Sequence, residues 1–162
     1  MSTALRRGCD NHEGLVLEIG IAGSAGTVVH FLFMHFKSST GLLPSFQPYQ
    51  SFQIALSHWV GANVPAIVPW ALSFLNGMTV LGFLFARTNR LLPGKTGAVK
   101  GIIFGLIGWV FMGLVFFPLI GLGPFAMSVG SGFGPAVLSL VMLQTYSIVL
   151  GTVYVALDAG SP

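Results

Sequence analysis

Residues 98–120 read AVKGIIFGLIGWVFMGLVFFPLI. As an α-helix this stretch rises roughly 34 Å, enough to cross a hydrocarbon core of about 30 Å. Its one charge, Lys100, sits in the first turn, and Pro118 marks the far end. It reads as a membrane-spanning helix. Residues 15–36 (LVLEIGIAGSAGTVVHFLFMHF), 64–86 and 135–157 read the same way. The expected fold is all-α: a polytopic membrane protein with four transmembrane helices in a single membrane domain over 1–162.

Composition agrees. The chain is 54% hydrophobic and 7% charged, whereas a soluble domain carries about 25% charged residues. So few charges cannot cover a water-facing surface, and a net charge of +3 gives no sign of a nucleic-acid partner. Cys9 is the single cysteine, which excludes an intrachain disulfide and a cysteine-based zinc site. Arg6 and Arg7 could open a signal peptide, but Asp10, His12 and Glu13 follow, and the apolar run over 15–36 exceeds the roughly 7–15 residues of a signal core. It is expected to be retained.

Between the first two spans, 37–50 carries Pro44 and Pro48, which oppose a regular helix. Residues 51–61, SFQIALSHWVG, place Phe52, Leu56 and Trp59/Val60 at helical spacing. They are too short to span and read as a helix in the outer, periplasmic interface, anchored by Trp59. In the second span Asn63 is placed to cap, Pro65 lies in the first turn and Pro69 is expected to bend the helix.

Orientation rests on 87–100, RTNRLLPGKTGAVK. Arg87, Arg90, Lys95 and Lys100 are four of the seven basic residues and have no acid among them. The positive-inside rule makes this loop cytoplasmic. Both termini then face the cytoplasm of a bacterial inner membrane, and the uncharged, glycine-rich stretch 121–134 is periplasmic.

Ionisable and polar groups inside a bilayer are costly and so are candidates. Glu18 lies one turn inside the first span, as a cation or proton ligand or as a carboxylate reaching the headgroups. His30, His35 and His58 fall near one depth and could bind copper, zinc or haem, although no tight metal-ligand spacing exists and hydrogen-bonded histidines are the plainer reading. Asn76, Gln144, Tyr146 and Ser147 could form a mid-membrane polar spot for a quinone headgroup or a permeant, or simply bond helices together. Gly97, Gly101 and Gly105 repeat at four-residue spacing and open a groove for a close neighbour.

Residues 108–126 (GWVFMGLVFFPLIGLGPFA) and 139–154 (SLVMLQTYSIVLGTVY) resemble small uncharacterised, domain-of-unknown-function bacterial inner-membrane proteins with four helices. The resemblance covers the C-terminal third. It implies the four-helix fold and no catalytic residue. Leu143-Gln144 stands where a histidine is expected in the last helix.

The function these readings favour is a non-catalytic accessory or structural subunit of a larger membrane complex of the bioenergetic kind (respiratory, oxidase/monooxygenase or photosynthetic). The expected partners are other membrane subunits and bound lipids, with no resident metal or cofactor. One alternative is a small homo-oligomeric transporter or channel lined by Glu18 and the polar belt. Another is a membrane protein that binds a metal, haem, copper or quinone through the histidines.

Overall fold

The computed structural model describes residues 2–160, with side-chain surroundings for residue 14 and residues 16–159. The expectations placed on Arg6, Arg7 and Cys9 therefore fall outside the described side chains. Among the described residues every regular element is helical: α1 (Ser2–Thr40), α2 (Pro48–Val60), α3 (Ile67–Thr88), α4 (Gly97–Leu119), a 3-10 turn (Pro124–Val129) and α5 (Gly134–Gly160). Four of these helices, α1 from Val16 onward, α3, α4 and α5, are long and apolar enough to cross a membrane.

Local chemistry sets the boundaries. α1 runs past residue 36 to Thr40, and in its last turn the Ser39 and Thr40 hydroxyls donate back to the His35 and Phe36 carbonyls at 2.9 Å. It stops at Gly41, whose φ of 64° is the left-handed ending that glycine adopts without a Cβ clash. Pro48 does not break a helix but opens one, in a first turn where its missing N–H costs nothing. α3 begins at Ile67, later than Asn63 and Pro65 suggested. Pro69 thus falls in the first turn and demands no bend. Ser57 Oγ accepts the Val64 N–H instead, at 3.1 Å.

Two stretches widen into π-helix. Met112–Phe116 lies just ahead of Pro118, where the Phe117 N–H reaches back to the Met112 carbonyl. That wider turn makes room for a proline ring that would meet a carbonyl one turn back in a regular helix. The other stretch, Asn76–Leu81, brings Gly77 against α1.

The helices do not pack in chain order. α5 makes its most extensive contacts with α4, then with α1, and α1 in turn carries α3. The spatial order is α3–α1–α5–α4, and α5 is the most buried of the long helices. Between α3 and α4, Phe85 meets Phe104 edge-on at 5.3 Å near the basic 89–96 loop. At the opposite end α2 wedges into the gap, with Tyr49 stacked on Trp70 of α3 and Phe52 edge-on to Phe116 of α4. Trp59, two turns beyond Phe52, stays 54% exposed beside exposed His58 and Val60, so the C-terminal end of α2 projects from the bundle.

The end that carries α2 is a built cap. Lys37, 3% exposed, donates from Nζ to the Phe46 carbonyl at 2.7 Å and lies 5.7 Å from the Phe46 ring centroid. Ser45 and Ser131 hydroxyls join the two loops at 2.7 Å. Leu43, Phe125 and Ala126 hold positive φ of 48°, 50° and 59°. Such left-handed residues cost about 1–2 kcal/mol each and persist where packing dictates them. Phe125 packs into the notch at Gly113 and lies 4.7 Å from the Trp109 ring.

Candidate functional site

At the capped end, α1, α2 and α3 contribute one side chain each to a hydrogen-bonded chain. His30 Nε2 and the Tyr49 hydroxyl are 3.2 Å apart, and that hydroxyl is 3.1 Å from Ser73 Oγ. Pro48 fixes the start of α2 and thereby sets Tyr49. The first turn of α3 supplies Trp70, whose ring lies 4.0 Å from that of Tyr49 with 16° between the planes. Phe31 borders Trp70 at 5.3 Å. A phenol both donates and accepts, so the hydrogen bonds through Tyr49 can run in either direction between His30 and Ser73, according to the histidine tautomer.

Burial pushes the Tyr49 phenol above its usual value near 10, and the Ser73 bond pulls partly the other way. The neutral phenol is therefore favoured by the fold. The unfolded phenol ionises first, so this contribution is complete below about pH 10 and is lost as pH rises through the higher folded value. In a 295-nm titration, the difference between the protein and its Tyr49→Phe variant should show ionisation above pH 10. Ionisation at or below that value would mean that the phenol is solvated.

The three candidate histidines do not share this role. His35 and His58 are exposed, while His30 is half-buried and engaged with Tyr49. No group of three His, Cys, Asp or Glu side chains among the described residues is arranged to hold a metal.

The mid-helix polar residues also separate. Tyr146 faces α1 and α3, its hydroxyl donating to the Gly77 carbonyl at 2.6 Å in the π-helical turn. Its ring lies over Gly26, where an added methyl would come within 2.8 Å of it. Thr27 closes the same junction, donating to the Gly23 carbonyl at 2.7 Å and abutting Gly77. Gln144 and Ser147 face α4 instead, and Gln144 Nε2 donates to the Ile102 carbonyl at 3.3 Å. Asn76 is exposed on α3. Tyr146→Phe keeps the ring but removes the bond to Gly77. It should lower the unfolding free energy by about 0.6–1.7 kcal/mol, read from denaturation in mixed micelles. An unchanged value would mean that the hydroxyl holds nothing.

The glycine repeat is consumed within the chain. Gly97 lies against the Gly151 carbonyl and Gly101 against the Ser147 carbonyl, so α4 and α5 touch backbone to backbone. Higher up, Trp109 Nε1 donates to the Ala136 carbonyl at 3.1 Å and to Ser139 Oγ at 3.2 Å. At the basic end Glu18 is half-buried and Tyr154 is buried.

Fold and polar contacts together define a class: an all-α chain with four helices fit to cross a membrane, joined by small-residue crossings and by side chains that donate to backbone carbonyls. The chain belongs to the family of unknown function DUF6789, whose model matches residues 15–161. No curated protein and no solved structure matches it.

Proposed function

We propose that this protein is a non-catalytic accessory subunit of a larger membrane complex of the bioenergetic kind. It would sit in a bacterial inner membrane with the 89–96 loop and both termini cytoplasmic and with α2 in the periplasmic interface. The observation that carries the reading is the direction of the mid-helix polar groups. Tyr146 and Gln144 both donate to backbone carbonyls of other helices, Gly77 on α3 and Ile102 on α4, so their bonds lie on different faces of the bundle. Such bonds hold helices together, and they leave no single polar face along which a solute would travel. The outside is strongly apolar: Ile67, Phe83, Ile107, Phe111, Leu119 and Val137 are each more than half exposed, a surface for lipid or for other apolar helices.

Gentle detergent extraction of the native membrane tests this. The tagged chain of 17.1 kDa is expected to migrate with other membrane subunits in a complex several times its own mass. Recovery as a lone monomer or homo-oligomer at native expression would remove the reading. Solute flux into liposomes that is lost on Glu18→Gln would replace it with a transporter.

A further inference from the structure

The loop between α3 and α4 is folded, yet it turns its cations and one leucine outward. Asn89, 7% exposed, donates its N–H to the Phe85 carbonyl at 2.7 Å, and the Leu91 and Leu92 N–H groups both reach the Thr88 carbonyl, at 2.8 and 3.1 Å. Gly94 takes a φ of 116°, and Thr96 caps α4 by accepting the Val99 N–H at 3.4 Å. Leu92 packs against the core cluster that holds Phe85 and Phe104, while its neighbour Leu91 is 83% exposed. Arg87, Arg90 and Lys95, on either side of Leu91 in the chain, are exposed, and Lys100 is half-buried. Residues 87–100 contain no acid. The acids described at this end of the bundle, Glu18 and Asp158, lie on α1 and α5.

We propose that this loop is a docking surface for the headgroups of anionic phospholipids, with Arg87, Arg90 and Lys95 drawing the phosphates and Leu91 set at the boundary of the acyl chains. The inference requires only that α3 and α4 cross a membrane, and it holds whichever leaflet the loop meets and whatever complex the chain joins. Arg87 lies in the last turn of α3 and Lys100 in the first turn of α4. The segment between them therefore lies where two spans leave the hydrocarbon, at headgroup depth. There long basic side chains run outward along their apolar stems and place their charge among the phosphates. Guanidinium groups meet phosphate oxygens through paired N–H donors, and an ammonium acts as a point charge. Leu91 decides between lipid and other counter-ions. A folded loop in bulk water gains nothing by holding a leucine out among cations. At an anionic interface the leucine enters the acyl boundary while the phosphates hold the charges. Acidic protein side chains would match the cations but leave Leu91 facing charge.

The test uses the full chain in phosphatidylcholine nanodiscs that carry a trace of spin-labelled phosphatidylglycerol or of spin-labelled phosphatidylcholine as the probe. The share of each label immobilised at the protein gives their relative association. Phosphatidylglycerol is expected to be favoured at least about three-fold, and the preference should fall toward parity in Arg87→Gln/Arg90→Gln/Lys95→Gln and as salt rises. Arg90→Gln alone should lose part of it. In a Cys9→Ser background, Leu91→Cys should react with a water-soluble maleimide at least about three-fold more slowly than Lys95→Cys. No lipid preference in the unsubstituted protein overturns the proposal and leaves the cations to water or to an acidic partner protein. A preference that survives in both the triple and the single variant overturns it as well, because other cations would then hold the lipid. A preference lost to inorganic phosphate, but not to chloride of the same ionic strength, assigns the cations to free phosphate instead. Equal maleimide rates at 91 and 95 overturn it too, because Leu91 would then stand in water.

Discussion

Gly101→Leu should prevent α4 from docking on α5. At this crossing the α5 backbone itself lies where a Cβ would go: Ser147 O is the nearest atom and Ile148 Cα is 3.0 Å away. A flexible side chain could swing aside, but a carbonyl in the middle of a helix cannot. Relief comes only from separating α4 and α5, which make the most extensive contact in the protein. Overpacking a yielding core costs about 1–3 kcal/mol. Here the obstacle is backbone, and the loss should exceed about 3 kcal/mol, so the leucine variant should be recovered unfolded or not at all. Gly101→Ala should already cost about 2 kcal/mol by the same argument. Gly108→Ala is the control. A methyl there meets only Leu143 Cδ2, at 3.4 Å, and it should be neutral or stabilise by up to about 1 kcal/mol, since alanine is the better helix former. Mixed-micelle denaturation reads all three, and equal effects at 101 and 108 would refute the crossing.

Phe46→Ala should cost about 3–5 kcal/mol, the range for truncating a fully buried aromatic. Phe46 is 1% exposed and stands edge-on to Phe117 at 5.8 Å. Its carbonyl and ring also hold the Lys37 ammonium. Removing the ring should loosen the loop that buries Lys37, which gives a second readout. Acylation of Lys37 by a water-soluble amine reagent should be slow in the unsubstituted protein and at least about ten-fold faster in the variant if the cap opens at a cost above about 1.4 kcal/mol. Unchanged acylation alongside lost stability would show that the cap is held by the loops alone.

Much of this fold can be read from residues whose meaning is local. Residues 98–120 announce a long apolar helix by length and composition, and α4 covers Gly97–Leu119. The Gly97, Gly101 and Gly105 spacing announces a close neighbour, but only tertiary structure names α5 as that neighbour. The mid-helix polar residues were partly legible. Gln144 and Tyr146 are two residues apart, so a helix turns them about 200° from each other. A single polar belt is incompatible with that period, and the structure accordingly aims Gln144 at α4 and Tyr146 at α1 and α3. The His30–Tyr49–Ser73 chain was not legible, because it joins residues 19 and 24 positions apart on three elements, and Pro48 read as a helix breaker rather than as the helix start that sets Tyr49. Lys37 reads as an ordinary charge at a helix end. Its burial depends on a loop closing over it, which no periodicity reveals.

The order α3–α1–α5–α4 has a consequence for biosynthesis. Ribosomes release a chain from its N-terminus, and domains generally fold in that direction. Among the four long helices described, the most buried one is the last to emerge. Until α5 arrives, the small-residue face of α1 and the glycine face of α4 lack their principal partner, and α1 and α3 can form only one side of the structure. Of the four long helices, the one that joins α1 to α4 is therefore inserted after both of them. A ribosome that stalls before Gly134 would leave an incomplete intermediate with its glycine surfaces open, of the kind that membrane quality-control proteases remove.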